Sequence, residues 1–123
     1  GRIAMEREVL DSLTYAMDGK IALIAVTSEM LARTGALESE LDGLSSIPRE
    51  IEGVQVGIAL REKPGGFKVS LRTVEKIDAS QICSVFGGGG HARAAGCFIP
   101  ESLERCRDQI IKAAQAACKE AGL

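Results

Sequence analysis

The chain has 123 residues, of which 46% are hydrophobic, 26% charged and 3% aromatic, and its formal net charge at pH 7 is −2. This length and composition predict one globular domain, and the small negative charge excludes a strong sequence-independent DNA-binding surface. Because aromatic residues are scarce, nucleotide contacts are expected to depend on phosphate recognition more than on base stacking. No apolar run approaches the roughly 20 residues that span a bilayer, and no signal peptide opens the chain.

Four cysteines, at positions 83, 97, 106 and 118, lack the paired C-x-x-C spacing that is typical of zinc sites. They lie among apolar or helical neighbours, where a free cysteine behaves as a small hydrophobic residue. A reduced, cytoplasmic setting is therefore expected, and two disulfides are the alternative that the sequence leaves open.

The first 26 residues predict a helix followed by a buried strand. Four apolar residues share one helical face: Ile3, Leu10, Leu13 and Met17. They predict an amphipathic helix that ends at residues 18–19, where glycine can terminate it. Residues 20–26 form a short apolar run, which is typical of a strand covered on both faces of an α/β sheet.

Short helices are predicted next. Met30 and Leu31 begin a short helical or irregular piece that stops at Gly35. Ser39 can cap another short helix, which Pro48 breaks. The apolar residues of that helix point one way: Leu41, Leu44 and Ile47.

Three carboxylates in this region, Glu38, Glu40 and Asp42, resemble a metal-binding cluster. No histidine lies near them in the sequence to complete a site for a transition metal. They are therefore interpreted as the solvated face of the short helix.

Two alternating runs predict a β-hairpin. The first has apolar residues at every second position: Val54, Val56, Ile58 and Leu60. The second follows a turn at residues 64–66 and alternates apolar residues with Lys68, Ser70 and Arg72. These three polar residues either form a solvated face or present two cations and a hydroxyl, about 6–7 Å apart, to a ligand.

The last third predicts a short helix, a strand and a long helix. Asp78 and Gln81 resemble a capping box at the start of the short helix. Its expected apolar face consists of Ile82, Val85 and Phe86. Residues 97–99 predict a strand, and Pro100 is expected to open the C-terminal helix. A narrow stripe on that helix consists of Leu103, Cys106, Ile110, Ala113, Ala114 and Ala117. The elements together predict an α/β fold, with a mixed sheet of four to five strands flanked by helices.

The glycine-rich stretch at residues 87–96 contains the candidate binding loop. Four consecutive glycines are costly in conformational entropy unless the backbone must go where a Cβ cannot, and their N–H groups can converge on an anion. The only histidine follows at once, and an arginine lies two residues later. This pattern favours a phosphate cradle over a flexible loop or a helix terminus. The candidate phosphate-binding residues are Gly87, Gly88, Gly89, Gly90, His91, Arg93, Lys68, Ser70 and Arg72.

Two motifs in the chain resemble those of a known family. Residues 87–96, GGGGHARAAG, resemble the signature of the C-terminal DHH-associated domain of DHH phosphoesterases. Residues 70–73, SLRT, resemble the strand motif that precedes the signature there, which usually ends in serine where this chain has Thr73. The order of elements agrees as well. The resemblance covers nearly all of residues 1–123 as a single domain, more weakly before Gly19.

The resemblance implies the substrate-binding half of an enzyme, most like the oligoribonuclease and phosphoadenosine-phosphate phosphatase type and related to RecJ-like exonucleases. In that family an N-terminal domain rich in Asp and His holds manganese, and the C-terminal domain grips the substrate. Arg72 and the loop N–H groups would hold phosphate oxygens, and His91 would bond to one of them. One histidine cannot assemble a two-metal site, so the chain is expected to hold no cofactor and to hydrolyse nothing by itself.

The expected partners are a short RNA or DNA oligonucleotide or a nucleotide phosphate, together with the missing catalytic domain. A second copy of the chain is a further candidate partner, and no membrane is expected. The alternative function is a non-catalytic nucleic-acid-binding or dimerisation module, like the related domain that ends alanyl-tRNA synthetases. Half of a cyclic dinucleotide phosphodiesterase and a stand-alone nucleotide sensor also stay open, because all these ligands present phosphate to the same loop.

Overall fold

The computed structural model describes residues 1–41 and 43–123. Its strands are β1 (Thr14–Ala16), β2 (Ile21–Val26), β3 (Val56–Lys63), β4 (Gly66–Thr73), β5 (Gly89–Gly90) and β6 (Ala94–Ile99). These described strands form one sheet in the order β1-β2-β3-β4-β6-β5, in which only β2 and β3 pair in parallel. The predicted α/β class is confirmed. The sheet has six strands instead of four or five because β1 and β5 are too short to leave a periodic pattern.

The helices flank this sheet. They are α1 (Arg2–Asp11), α2 (Ser28–Thr34), α3 (Ile47–Glu50), α4 (Ala79–Ser84) and α5 (Leu103–Glu120), with 3₁₀ turns at Glu38–Leu41 and Leu44–Ser46. None of the helices in residues 1–41 and 43–123 combines the length and apolar character that crossing a bilayer requires.

The main core lies between one face of the sheet and the helices α4 and α5. Ile58, Leu71 and Ile99 bring three neighbouring strands into this core, and Cys106 and Ile110 contribute from α5. All five side chains are almost completely buried. This side of the sheet is called the α5 face.

The other side of the sheet is covered over only part of its width. Met5 and Val9 of α1 and Met30 of α2 pack with Ile24 of β2 and Ala59 of β3 in a second cluster. Over β4 and β6, the side chains on this side are exposed or half-buried. This part of the sheet is called the open face.

Three predictions for the part of the chain between residues 20 and 73 are confirmed. All six residues of β2 are buried, as expected of a strand covered on both faces. The β-hairpin is formed by β3 and β4, which pair antiparallel from Val56 to Thr73. Helix α2 also ends where predicted, with Gly35 in the left-handed conformation at φ 67°.

The predicted buried face of the first helix is wrong. Helix α1 buries Met5 and Val9, which are one turn apart, whereas Ile3 is 80% exposed and Leu10 is 50% exposed. The helix ends at Asp11, and residues 17–19 form a left-handed turn between β1 and β2. Met17 therefore belongs to a turn and does not extend the helical face.

Pro48 does not break a helix but lies in the first turn of α3, where its missing N–H is not needed. The region around Ser39 folds into 3₁₀ turns, with the Glu40 carboxylate accepting the Leu37 N–H at 2.8 Å. Asp42, the third member of the predicted carboxylate face, lies outside the described residues.

The last two helices also differ in detail from the prediction. Val85, which directly follows α4, is 70% exposed, whereas Cys83 on the helix is buried, so the predicted apolar face is wrong at Val85. Asp78 does cap this helix, and its carboxylate accepts the N–H groups of Ser80 and Gln81. Helix α5 starts at Leu103 after a Ser102 cap, so Pro100 lies before the helix instead of opening it.

Candidate functional site

Strand β4 places the predicted polar residues on the open face. Its buried positions on the α5 face are Phe67, Val69 and Leu71. Its positions on the open face are Lys68, Ser70 and Arg72, of which the first is exposed and the other two are half-buried. The predicted division of this strand into a core face and a polar face is confirmed.

The strand register arranges the open face in rows, because directly opposite residues on paired strands share a face. Arg72 pairs with Ala94. Ala94 in turn exchanges both backbone hydrogen bonds with His91, at 2.8 and 3.2 Å. Arg72 and His91 therefore flank Ala94 on the same face, with Cα atoms about 10 Å apart across two strand spacings. The neighbouring row consists of Ser70, Gly96 and Gly89.

Arg72 lacks an internal partner for part of its guanidinium group. Its Nε atom is buried and has no hydrogen-bond acceptor among residues 1–41 and 43–123. Its cross-strand neighbours, Gly57 and Ala94, bring no polar side chain to it. On the same side of the sheet Arg61, in contrast, lies 3.2 Å from the Glu38 carboxylate. Arg72 is thus the cation on this face that most needs an external acceptor.

The glycine-rich stretch forms a β-hairpin in which several N–H groups are already bonded. The N–H groups of Gly87, Gly88 and His91 donate to the carbonyl oxygens of Ser84, Cys83 and Ala94, respectively. These three groups do not form the anion nest that the sequence predicted. Hydrogen bonding alternates along an antiparallel pair, and His91 is a bonded position, so the N–H of Gly90 points away from β6 at the sheet edge. That edge N–H is open to a ligand.

Three of the four glycines are required by the fold. Gly87 has φ 80° where the chain leaves α4, and Gly90 has φ 148°. A Cβ on Gly88 would collide with the carbonyl oxygen of Gly96 and lie 2.6 Å from Cβ of Cys97. At Gly89, by contrast, a Cβ would meet nothing within 4 Å, and φ is outside the left-handed region. Gly89 is therefore the glycine for which the fold itself gives no reason.

The side chains of His91 and Arg93 have different surroundings. The His91 imidazole is exposed and has no hydrogen bond to any described residue. Arg93 donates from Nη2 to the Ile77 carbonyl at 2.7 Å, so part of its guanidinium group holds the turn in place. Contact of either residue with phosphate stays a prediction.

Thr73 is a site residue that the sequence reasoning did not single out. It is 4% exposed, and its hydroxyl lies 2.7 Å from the Ile77 carbonyl oxygen and 2.9 Å from that of Ala92. Its N–H donates to the carbonyl of Arg93 at 3.1 Å. Thr73 therefore ties the end of β4 to the turn that carries His91. The hydroxyl residue that closes the SLRT motif was the available signal.

The described residues do not supply a metal site. No group of three or more His, Cys, Asp or Glu side chains within residues 1–41 and 43–123 is arranged to hold an ion. Cys83, Cys97, Cys106 and Cys118 are all free and buried, so the disulfide alternative is not adopted. Burial raises the pKa of the thiols of Cys106 and Cys118, which keeps them protonated.

Comparison with known proteins places this fold in a family. Residues 18–120 match the model of the DHHA1 domain, and the chain belongs to that family. The predicted resemblance to the DHH-associated domain of DHH phosphoesterases is thereby confirmed.

Two curated proteins are similar in sequence. The bifunctional oligoribonuclease and PAP phosphatase NrnA of Thermus thermophilus is 29% identical over 116 residues, which are 94% of this chain and 34% of that protein. The oligoribonuclease NrnB of Bacillus subtilis is 50% identical over 40 residues, which are 32% of this chain and 10% of that protein. The chain thus spans about a third or less of the length of these relatives.

Two solved structures share the fold. An exopolyphosphatase-related protein from Bacteroides fragilis superposes with a TM-score of 0.88 at 26% identity, covering 99% of this chain and 36% of that one. A pGpG-specific phosphodiesterase from Vibrio cholerae superposes with a TM-score of 0.62 at 13% identity, covering 94% and 39% of the two chains. At 13% identity the second comparison supports the fold alone.

Proposed function

We propose that this chain is the substrate-binding half of a manganese-dependent DHH phosphoesterase. The proposed substrates are short RNA oligonucleotides, phosphoadenosine phosphate, or both. The relatives named above as oligoribonuclease and PAP phosphatase support this substrate class. The four free cysteines are consistent with a reduced, cytoplasmic setting.

The observation that carries the proposal is the row formed by Arg72, Ala94 and His91. A guanidinium group with an unsatisfied Nε and an exposed imidazole face the same space across a small residue. A phosphate oxygen is an acceptor that can take a charge-assisted hydrogen bond from Arg72. Ser70 in the next row adds a hydroxyl donor, and the edge N–H of Gly90 adds a backbone donor.

The chemistry assigned to this chain is binding and orientation. The described residues do not fit a manganese site, so the metal that activates water in such enzymes is assigned to the separate catalytic domain. Arg72, Ser70 and His91 would hold the phosphoryl group in place for attack. The chain alone is expected to bind phosphoadenosine phosphate without hydrolysing it.

Substitution of Arg72 tests the proposal. Arg72→Ala should weaken binding of phosphoadenosine phosphate by about 1.5–3 kcal/mol, the range for a hydrogen bond to a charged group. Arg72→Lys should recover only part of this loss, because lysine cannot bind two oxygens in a fixed geometry. The dissociation constants are measured by calorimetry on this chain. The matched control is Arg105→Ala on α5, where the arginine pairs with Glu101 at 2.7 Å.

Equal dissociation constants for the wild type and Arg72→Ala would contradict the proposal and assign Arg72 to a solvated surface. In the two-domain protein, the same substitution should raise KM for short RNA without loss of bound manganese. Binding by Arg105→Ala should match the wild type.

A further inference from the structure

The chain has one exposed phenylalanine, and it lies on the open face. Of the three phenylalanines, Phe67 is 5% exposed and Phe86 packs against the main core. Phe98 is 44% exposed. It pairs directly with Lys68 across β4 and β6, so it shares the face of Ser70 and Arg72. The sequence assigned residues 97–99 to a strand without distinguishing its two faces, so this position was missed.

The ring of Phe98 is supported from beneath. A Cβ on Gly66 would lie 2.8 Å from Cζ of Phe98, so the ring extends over the glycine at the start of β4. A Cβ there would also meet the carbonyl oxygen of Ile99 and Cα of Pro100, so a side chain at residue 66 would clash with the backbone as well as with the ring. An aromatic ring that rests on backbone on one side and is exposed on the other is a surface on which a nucleobase can stack.

The spacing along the strands fits an extended single strand. Ala94, Gly96 and Phe98 follow one another at every second position of β6, about 6–7 Å apart. The two small residues leave the surface between Arg72 and Phe98 without protruding side chains from β6. The path from the phosphate row to the ring is therefore about 13 Å long.

The charges at this end of the face also suit a nucleic acid. Lys68 is exposed beside Phe98 and forms no ion pair with the described residues. Arg61, its partner on β3, is paired with Glu38 at 3.2 Å. Lys68 is therefore available to a second phosphate next to the ring.

We propose that Phe98 and Lys68 form a subsite for a second nucleotide, in which the base stacks on the Phe98 ring and its phosphate contacts Lys68. This subsite rests on the proposed function, since it extends the phosphate row of Arg72 and His91. It assigns the chain a preference for single-stranded oligonucleotides of two or more residues over a ligand with one base. The subsite adds one stacking contact to a binding surface for which phosphate recognition was expected to matter more than base stacking.

Binding of two ligands by one set of variants tests the subsite. The probes are phosphoadenosine phosphate, which has one base, and the 5′-phosphorylated diadenylate pApA, which has two. Phe98→Ala should weaken binding of pApA about 5- to 150-fold, the change that corresponds to about 1–3 kcal/mol for one stacked base. Binding of phosphoadenosine phosphate should change by less than about twofold. Phe98→Tyr should behave as the wild type, and Phe98→Leu should behave as Phe98→Ala.

A spectroscopic signal separates stacking from a structural role of the ring. A dinucleotide with 2-aminopurine as its second base should lose fluorescence on binding the wild type, and less on binding Phe98→Leu. The matched control is Val85→Ala, which removes an exposed apolar side chain just after α4.

The outcomes are distinct. If Phe98→Ala weakens the binding of both ligands equally, or of neither ligand, the subsite is overturned and the row of Arg72 and His91 is not affected. Failure of the wild type to bind either ligand overturns the proposed function together with the subsite. Selective loss of pApA supports the subsite.

Discussion

Thr73 ties the end of β4 to the turn that carries His91, and replacing it tests whether that connection stabilises the turn. Its hydroxyl oxygen lies 2.7 Å from the carbonyl oxygen of Ile77 and 2.9 Å from that of Ala92. A hydroxyl has one proton and donates to one of these carbonyls at a time. Thr73→Val removes that donor while keeping the volume and the branching at Cβ.

The expected cost is modest because both carbonyl oxygens keep another donor. The Ile77 oxygen still accepts from Nη2 of Arg93 at 2.7 Å, and the Ala92 oxygen still accepts from the N–H of Ala79 at 2.8 Å. The variant therefore loses one buried hydrogen bond, worth about 0.5–1.5 kcal/mol of unfolding free energy. For a domain of this size each kcal/mol lowers Tm by roughly 3–6 °C.

Thermal unfolding followed by circular dichroism measures the effect. Thr73→Ser is the control, since it keeps the hydroxyl and should remain closer to the wild type. In the double variant Thr73→Val with Arg93→Ala, the Ile77 oxygen loses both donors. Its destabilisation should exceed the sum of the two single effects, because a buried acceptor is then left unsatisfied. A Thr73→Val protein as stable as the wild type would refute this reasoning. So would a Thr73→Ser protein less stable than Thr73→Val.

Two further predictions concern the glycines and the cap of α4. Gly89→Ala should keep the wild-type Tm and lose affinity for phosphoadenosine phosphate. Gly88→Ala should unfold at a lower temperature than the wild type, because its Cβ would collide with Gly96. Equal Tm values for the two variants would contradict this distinction between the two glycines. The pKa of Asp78 lies below its usual value, chiefly because its carboxylate accepts a hydrogen bond from the Ser80 hydroxyl. The N–H groups of Gln81 and Ser80 and the charge of Arg93 lower this pKa further. The Asp78 carboxylate therefore stabilises the fold at every pH above the ordinary pKa of an aspartate. This stabilisation is lost as the pH falls through the lowered pKa of Asp78 in the folded protein. The Tm difference between wild type and Asp78→Ala should shrink from pH 7 towards pH 2; a constant difference would disprove the assignment.

The parts of the fold set by local patterns could be predicted from the sequence. Strand β2 is a continuous apolar run, and apolar and polar residues alternate along the strands of the β3–β4 hairpin. The burial of each of these elements can therefore be predicted from its own residues. Helix α1 does not, because it packs with Met5 and Val9 on strands distant in the sequence, and its exposed Ile3 and Leu10 are as apolar as its buried residues.

The candidate site was predictable residue by residue but not as an arrangement. The motifs identified Arg72 and His91, and their placement in one row depends on the register of β4 against β6. That register joins residues more than 20 positions apart and leaves no local signal. The same register places Phe98 beside Lys68, and no local pattern in the sequence indicated this pairing. The glycine run predicted N–H groups that are free to bind an anion, but the N–H groups of Gly87 and Gly88 donate to carbonyl oxygens at the end of α4.

The central claim is that a nucleotide phosphate binds on the open face, between Arg72 and His91. The most direct measurement is a ¹H–¹⁵N correlation spectrum of the ¹⁵N-labelled chain during titration with phosphoadenosine phosphate, recorded for the wild type and for Arg72→Ala. The claim predicts saturable shifts of the amides of Gly89, Gly90 and Gly96, and their loss or marked weakening in the variant. Shifts confined to α4 and α5, or an identical titration of Arg72→Ala, would contradict it.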